Sequence, residues 1–262
     1  MKIGFIGAGN MGSAMIAAIA RSKFADLGEV FVYDRSKNEN LKFKFGITPL
    51  NNEREVVQKS DIIVLAIKPN GYENLLNLIK KDIKDQIVLT IAPNFSMEEI
   101  AGIIGENKKV VRTMPNTPAA IGEGVTAVSF SENLSAKEKE LVMRFLACFG
   151  TAHEIDEALM GAFVGIAGSL PAYVFVFIEA LADAGVLNGI PRAKAYEIVA
   201  ASVAGSADMV LKSGKHPAQL KDEVCSPLGT TIEALRVLEE NGFRSAVIEA
   251  VNAAVNKANN KI

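Results

Sequence analysis

The sequence predicts an α/β fold, with a doubly wound and mostly parallel sheet followed by an all-helical second half. In residues 1–156, short apolar runs of strand length alternate with stretches of helical pattern, an arrangement typical of βαβ units. A G-x-G-x-x-G turn at residues 7–12 joins the first run to the first helix. Past Asp156 the strand patterns stop and only helical patterns follow. We therefore expect two domains, at residues 1–156 and 157–262.

The glycine-rich turn predicts a dinucleotide site. The apolar run before it, residues 3–6, is rich in isoleucine, as buried parallel strands are. Gly7 permits the tight turn, Gly9 lets the backbone approach a pyrophosphate, and Gly12 allows close packing of helix and strand. The helix that begins here offers N–H groups and the positive end of its dipole to a phosphate. We favour this interpretation over a purely structural turn.

The end of the second strand carries the groups that would meet the adenosine ribose. The strand at residues 30–33 is followed by Asp34, about 20 residues past the glycine turn, where such folds bind the ribose. An acid here suits the free 2′-hydroxyl of NADH, whereas Arg35 and Ser36 suit the 2′-phosphate of NADPH. The sequence leaves the choice between the two cofactors open.

The other elements of the first half follow in alternation. Strand patterns fall at residues 3–6, 30–33, 62–66, 87–91, 110–113, 125–130 and 152–155. Helical patterns fall at residues 12–21, 37–45, 53–59, 72–83, 96–104 and 136–148. Two of these helices begin with a capping box, Ser96-x-x-Glu99 and Ser135-x-x-Glu138. The alternation predicts helices on both faces of the sheet.

The second half is predicted to be helical throughout. Helical patterns fall at residues 157–183, 192–212, 217–224, 231–241 and 243–257. Residues 158–178 carry no charge and are long enough to span a bilayer. The stretch nevertheless contains Pro171 and several glycines, and its flanks, Glu157 and Glu179, are acidic without a basic anchor. We interpret it as a helix buried in a soluble core or in a subunit interface.

Composition narrows the class of function. The formal charge of −2 provides no broad basic field for nucleic acid. Cys148 and Cys225 form no C-x-x-C pair, which favours reduced thiols and a cytoplasmic location. His153 and His216 belong to no metal-ligand cluster or catalytic triad in the sequence. We therefore expect no metal, no nucleic-acid partner and no membrane.

Two loops that follow strands are predicted to face the cofactor. The first contains Lys68, which either contacts the cofactor phosphates or ribose or lies on the surface before a helix-starting proline; its position alone leaves both open. The second, residues 111–119, contains Pro115 and Pro118, which stiffen it. For this loop we favour a wall of the nicotinamide pocket over a simple turn.

A loop of small residues in the second half is predicted to hold a carboxylate. Ser226 to Gly229 lead into Thr230-x-x-Glu233, which has the pattern of a capping box. A loop before a helix start points backbone N–H groups and hydroxyls at one spot, so it attracts a carboxylate without an arginine. An ordinary capped helix explains the same residues, and the two interpretations stay open.

These stretches resemble the pyrroline-5-carboxylate reductase family over essentially the whole chain. The resemblance is carried by the opening strand and glycine turn, by Ala-Ile-Lys-Pro, by Arg-Thr-Met-Pro-Asn-Thr-Pro-Ala and by Gly-Ser-Leu-Pro-Ala-Tyr. It is most specific in Ser-Pro-Leu-Gly-Thr-Thr-Ile-Glu. The matching stretches are residues 3–12, 66–69, 112–119, 168–173 and 226–233.

The resemblance implies a Rossmann-type domain and an all-helical dimerisation domain, with dimers assembling into larger rings such as a decamer of dimers. It implies the last step of proline biosynthesis, in which NADPH or NADH reduces the C=N bond of 1-pyrroline-5-carboxylate to L-proline. The cofactor residues expected from the resemblance and from the ribose position are Ile6, Gly7, Ala8, Gly9, Asn10, Met11, Asp34, Arg35, Ser36, Ala66, Ile67, Lys68 and Pro69. The substrate residues that it implies are Ser226, Gly229, Thr230 and Thr231.

The expected mechanism is placement of two reactants with electrostatic support. Thr231 is the expected catalytic residue, through a hydrogen bond to the ring nitrogen, while the backbone near Ser226 and Gly229 holds the carboxylate. The imine arrives protonated from solution, so no general acid is needed. No lysine or arginine stands between Arg144 and Arg192, which disfavours the lysine-dependent dehydrogenases.

Three positions depart from the family's pattern. Leu170 and Leu228 stand where glycine is usual, and Glu53 stands at a place usually held by a polar residue. A positive φ at Leu228 would strain the loop, whereas a negative φ would cost little. Alternatives are an imine reductase or hydroxy-acid dehydrogenase on the same plan, or a catalytically silent dinucleotide-binding or scaffold protein.

Overall fold

The computed structural model describes residues 1–36 and 45–259, and a mixed sheet dominates its first part. Its strands are β1 (Ile3–Ile6), β2 (Val30–Tyr33), β3 (Thr48–Pro49), β4 (Ile62–Leu65), β5 (Ile87–Thr90), β6 (Lys109–Met114), β7 (Gly124–Phe130) and β8 (Gly150–Glu154). The strand order is β3-β2-β1-β4-β5-β6-β7-β8. Every pair is parallel except β6 with β7. The predicted mostly parallel sheet is confirmed.

Helices alternate with the strands in the first part of the described chain and, with loops and short 3₁₀ and π turns, make up the rest of it. They are α1 (Asn10–Ser22), α2 (Glu53–Lys59), α3 (Tyr72–Ile79), α4 (Met97–Ile104), α5 (Ala136–Leu146), α6 (Met160–Phe163), α7 (Leu170–Leu187), α8 (Arg192–Ser213), α9 (Pro217–Val224), α10 (Thr230–Glu240) and α11 (Phe243–Asn259). The helix predicted at residues 37–45 lies, but for its last residue, outside the described residues. Two capping boxes, at Ser96 and at Ser135, are confirmed.

The sheet is doubly wound because alternate strand side chains enter two separate apolar cores. In β4, Ile62 and Val64 pack in one core with residues of α1 and α5. Ile63 and Leu65 pack in the other with residues of α2, α3 and α4. Since successive side chains of a strand point to opposite faces, an uninterrupted apolar run needs a helical layer on each side.

The long apolar stretch of the second half is not one continuous α-helix. It contains α6, a π-helical turn at Val164–Gly168 and then α7. Pro171 lies in the first turn of α7, where its missing N–H costs nothing. The helical prediction for residues 157–183 therefore holds, but the helix is interrupted by a π-helical turn. The proline favours a new helix start, and the turn before it widens to π geometry.

The same stretch is largely uncovered within one chain. By length and composition Glu157–Leu187, with a mean hydropathy of 1.9, would be able to cross a membrane, and 22% of its most apolar window is buried. Burial in the core of this chain, one of the two expected settings, is therefore not found. A subunit interface remains the expected setting.

The chain's contacts separate two compact units. The sheet unit comprises Met1–Gly168 together with the end of the chain from Val255, and the helical unit comprises Ser169–Ala254. Residues 157–168 lie with the sheet because Met160, Phe163 and Ala167 pack on Met114 and Ala127. The domain boundary at residue 156 is a division of the sequence pattern and stays a prediction.

Candidate functional site

The glycine turn has the backbone geometry that its spacing predicts. Gly7 has φ +97°, and a Cβ there would lie 2.6 Å from the carbonyl oxygen of Ala66. A Cβ at Gly12 would lie 2.6 Å from the carbonyl oxygen of Gly7, so strand and helix pack too closely for a side chain. A Cβ at Gly9 would meet nothing within 4 Å. The turn thus has no room for side chains at Gly7 and Gly12, whereas the space beside Gly9 is free and can admit a phosphate.

Asp34 holds the end of β2 against this turn. One carboxylate oxygen accepts a hydrogen bond of 2.7 Å from the Ala8 N–H. The other accepts bonds of 3.0 Å from the N–H and the hydroxyl of Ser36. The Gly7 N–H donates to the carbonyl of Tyr33 at 2.8 Å. The acid at the predicted ribose position is therefore fixed beside the turn that would hold the pyrophosphate.

A cavity of 490 Å³ opens beside Asp34. It combines apolar walls with two acids and two bases, which suits an adenosine group better than a purely apolar ligand. Its lining residues are Ile6, Gly7, Tyr33, Asp34, Arg35, Glu53, Ile67, Lys68, Gly71, Asn74, Leu75 and Leu78. The described residues thus fit a dinucleotide, with the cavity for its adenosine and the open turn for its phosphates.

The structure brings together six of the predicted cofactor residues as walls of this cavity, namely Ile6, Gly7, Asp34, Arg35, Ile67 and Lys68. The other predicted ones lie next to it in the chain. Ala8 to Met11 form the turn and the start of α1, and Ser36 bonds Asp34. Ala66 and Pro69 flank two of the wall residues, and Pro69 begins a 3₁₀ turn. Lys68, for which the sequence did not decide between a cofactor contact and a surface position, thus lines the cavity.

Sequence reasoning named Glu53 only as a departure from the family's pattern and missed the part of the cavity wall contributed by α3. Glu53 is the first residue of α2, and Asn74, Leu75 and Leu78 lie on α3. Leu78 lies four positions after Asn74 and three after Leu75, on the same face of α3. That spacing was visible in the sequence, but only the fold shows that this face turns toward the cavity.

A buried hydrogen-bond chain ties together three strand ends at the cofactor edge of the sheet. The Thr113 hydroxyl donates to the carbonyl of Thr90 at 2.9 Å, and the Thr90 hydroxyl donates to the Tyr72 hydroxyl at 3.0 Å. Tyr72 in turn donates to the carbonyl of Leu65 at 2.5 Å. Burial raises the pKa of Tyr72 to about 12, so its phenol stays protonated and serves as a donor.

Asn116 ties the proline-containing loop after β6 to β7 and to the π-helical turn. This buried side chain accepts a hydrogen bond of 2.9 Å from the Val125 N–H and donates one of 3.0 Å to the carbonyl of Ala167. Pro118 lies in the 3₁₀ turn Thr117–Ile121 that follows. These two bonds support the expected stiffness of the loop, and its role as a wall of the nicotinamide pocket stays a prediction.

The predicted substrate residues form one uncapped helix start. Gly229 is the N-cap of α10, and no side chain caps the helix. Its N–H donates to the carbonyl of Ser226 at 3.0 Å, and a Cβ at Gly229 would lie 2.3 Å from the Ser226 hydroxyl. Thr230 and Thr231 are the first two residues of the helix. The first-turn N–H groups thus have no helical partners and can receive an anion.

The predicted capping box at Thr230 and Glu233 is wrong. Because Gly229 occupies the N-cap position, Thr230 is the first helical residue and cannot bond the N–H three residues ahead in capping geometry. Glu233 pairs instead with Arg236, whose Nε lies 3.1 Å from one carboxylate oxygen. This hydrogen bond lowers the pKa of the Glu233 carboxyl.

The two leucines that replace glycines differ in their backbone. Leu228 has φ +60° and a fully exposed side chain, so it pays the strain of the left-handed region. Leu170 is not among the described residues with positive φ, and it begins α7 in helical geometry. Leucine at position 170 therefore causes no backbone strain, whereas leucine at position 228 strains the loop.

Neither histidine lies in these two sites. His216 is the N-cap of α9, and its Nδ1 accepts a hydrogen bond of 3.1 Å from the Ala218 N–H. His153 is exposed in β8. Cys148 and Cys225 are free thiols. The histidines thus have the structural or exposed settings predicted from the sequence.

Comparison with known proteins gives the family of the chain. A family profile described as pyrroline-5-carboxylate reductase dimerisation matches residues 157–261. A second, described as NADP oxidoreductase coenzyme F420-dependent, matches residues 2–94. A pyrroline-5-carboxylate reductase of Escherichia coli is 45% identical over 260 residues, with 98% of this chain and 97% of that protein covered.

Solved structures agree with the sequence comparison. The structure of pyrroline carboxylate reductase from Plasmodium falciparum with NADP bound superposes with a TM-score of 0.90 at 35% identity, covering 98% of this chain and 97% of that one. A pyrroline-5-carboxylate reductase from Coxiella burnetii gives 0.92 at 30% identity, with 98% and 97% covered. The chain therefore belongs to the pyrroline-5-carboxylate reductase family and is an oxidoreductase that uses NAD(P)H.

Proposed function

We propose that this chain reduces the C=N bond of 1-pyrroline-5-carboxylate to give L-proline, the last step of proline biosynthesis. When bound, the reduced nicotinamide supplies the hydride for the imine carbon. The ring nitrogen already carries its proton when the imine arrives, so the carbon–nitrogen double bond becomes a single bond without a general acid. The family membership and the two sites described above support this reaction.

The observation that carries the substrate proposal is the uncapped start of α10. We propose that its first-turn N–H groups, with Ser226, Gly229 and Thr230, bind the substrate carboxylate. The group is anionic, and a helix N-terminus offers both donors and a favourable dipole. The Thr231 hydroxyl then accepts a hydrogen bond from the protonated ring nitrogen and orients it. Catalysis by placement needs no further acid or base.

The cofactor proposal places the pyrophosphate at the open face of Gly9 and the adenosine in the cavity beside Asp34. The residues that would hold them are those predicted from the sequence, from Ile6 to Met11, from Asp34 to Ser36 and from Ala66 to Pro69. The closed geometry at Gly7 and the free space at Gly9 support this placement.

We also propose that the helical unit pairs two subunits, within larger rings such as a decamer of dimers, in the cytoplasm. The support is the match of residues 157–261 to a dimerisation family and the uncovered apolar surface of that unit. A second copy of this chain, rather than lipid, is the occupant we propose for that surface.

The test of the reaction compares Thr231→Ala with the wild type. We expect kcat to fall about 10-fold to 100-fold, because the hydrogen bond that orients the ring nitrogen is lost, while the Kd for the cofactor and the melting temperature stay unchanged. Absorbance of the reduced nicotinamide follows the reaction with 1-pyrroline-5-carboxylate. Thr151→Ala, an exposed threonine of β8, is the matched control.

The same assay separates the alternatives. A wild-type kcat in Thr231→Ala would remove that residue's role. No oxidation of NADH or NADPH by the wild type would favour a silent binding protein. Turnover of other cyclic imines or of 2-oxo acids, without turnover of 1-pyrroline-5-carboxylate, would favour an imine reductase or a hydroxy-acid dehydrogenase.

A further inference from the structure

One acidic side chain in the cofactor cavity is paired with the only arginine among the described lining residues. The Glu53 carboxylate lies 4.0 Å from the Arg35 guanidinium. The Glu53 side chain is 13% exposed, whereas that of Arg35 is 87% exposed. The solvent-exposed Arg35 thus forms an ion pair with an acid that belongs to the wall of the cavity.

The helix start places Glu53 in this position. The side chain of Asn52 caps α2 by accepting a hydrogen bond of 3.0 Å from the Glu55 N–H. Glu55 is in turn engaged by the side-chain amides of Asn51 and Asn52. The Glu55 carboxylate is therefore bound to the residues at the start of the helix. Glu53 is the acid of α2 that lines the cavity.

The charges of the described cavity lining give a 2′-phosphate no net attraction. This lining holds two carboxylates, of Asp34 and Glu53, and two cations, of Arg35 and Lys68. A 2′-phosphate brings a charge of about −1.5 to −2. To bind it, the site would have to accept two nearby carboxylates and draw Arg35 away from Glu53. A free 2′-hydroxyl meets no such cost, and a carboxylate is its usual partner.

We propose that Glu53 sets the cofactor preference of this chain, by engaging Arg35 and repelling a 2′-phosphate, so that NADH is bound in preference to NADPH. The inference rests on the proposed function in one respect, the assignment of this cavity to the adenosine half of the cofactor. It makes Glu53 a specificity residue that acts through charge.

Calorimetric titration with NAD⁺ and NADP⁺ tests the inference without any need for turnover. Glu53→Gln keeps the shape of the side chain and removes its charge. We expect the Kd for NADP⁺ to fall about tenfold, with the Kd for NAD⁺ changed by less than about twofold. Combining Glu53→Gln with Arg35→Ala should keep only part of the gain, because the repulsion is removed but the released guanidinium is missing.

Glu73→Gln is the matched control for a general charge effect. Glu73 is exposed in the first turn of α3, next to the lining residue Asn74, but it does not line the cavity itself. It should leave the ratio of the two Kd values unchanged.

Three results overturn the inference alone. One is a wild type that binds NADP⁺ more tightly than NAD⁺, and a second is a ratio of Kd values that Glu53→Gln does not shift. A shift of equal size in Glu73→Gln also contradicts it, since the effect would then be one of net charge. A wild type that binds neither dinucleotide contradicts the proposed function itself, and this inference with it.

Discussion

The two compact units of this chain bury their apolar residues to very different extents. In the sheet unit, large side chains such as Phe5, Tyr72, Phe145 and Phe149 are fully buried. In the described helical unit, the buried apolar residues are Ala182 and Ala195. The sheet unit thus contains the layered core that a domain needs, whereas the helical unit has almost no interior of its own.

The apolar residues of the helical unit lie instead on its surface. Leu187 is 87% exposed and Leu211 is 81% exposed. Other large exposed apolar side chains of this unit include Phe175, Val176, Ile198, Met209, Val237, Phe243 and Ile248. Exposed apolar surface on this scale marks an interface. The contrast teaches that one unit is stabilised within the chain and that the other depends on a partner surface.

The largest effect should come from a truncation in the sheet unit. Phe145 is fully buried, with ring centroids 5.1 Å from Phe149 and 5.9 Å from Phe24. We expect Phe145→Ala to lower the free energy of unfolding by about 3–5 kcal/mol, independently of protein concentration, because it leaves a cavity in a closed core. Urea denaturation at two protein concentrations measures this.

Phe243→Ala provides the contrast from the helical unit. Phe243 is 41% exposed and its ring lies 6.1 Å from that of Phe177. We expect a cost below about 2 kcal/mol within one subunit, because less area is buried. An equal, concentration-independent cost at both positions would show that the units do not differ as proposed.

An intermediate effect is expected from a charge on the exposed face of α7. Val176 is 65% exposed. Val176→Asp should weaken self-association at least about tenfold, because the carboxylate would be buried in an apolar interface. Sedimentation equilibrium gives the association constant. Ile121→Asp, at a site in the sheet unit that is 72% exposed, should leave the constant unchanged, and a loss of association in this control alone would place the interface elsewhere.

The smallest effect should come from relieving strain in the helical unit. Leu228 holds φ +60° without a packing contact to stabilise its exposed side chain. We expect Leu228→Gly to raise the free energy of unfolding by about 0.5–1 kcal/mol, since glycine adopts this region freely but loses more entropy on folding. Leu228→Ala should bring no such gain, because it keeps a Cβ. Thermal unfolding compares them, and a gain in the alanine variant would assign the effect to the exposed leucine side chain.

Features that depend on nearby residues were predictable from the sequence. The glycine turn, the strand runs and the capping boxes at Ser96 and Ser135 all involve residues within a few positions of each other, and the structure confirms them. The box at Thr230 failed although its pattern was the same. There Gly229 takes the N-cap position, and sequence spacing alone does not distinguish the N-cap from the residue after it.

Features that depend on distant residues were not predictable. The chain of hydrogen bonds through Thr113, Thr90 and Tyr72 to the carbonyl of Leu65 joins three strands. The bond from Asn116 to Ala167 crosses 51 positions of sequence. The pairing of Arg35 with Glu53 brings together the end of β2 and the start of α2. Only the sheet order places these groups within reach of each other.

The sequence by itself determined the alternation of strands and helices, the dinucleotide turn and the family of this chain, because these follow from local periodicity and short motifs. The tertiary structure decided which side chains close the cofactor cavity, that Leu228 is strained and that the helical unit leaves its apolar residues uncovered. Those features follow from packing and backbone angles, which depend on the neighbours that folding brings together.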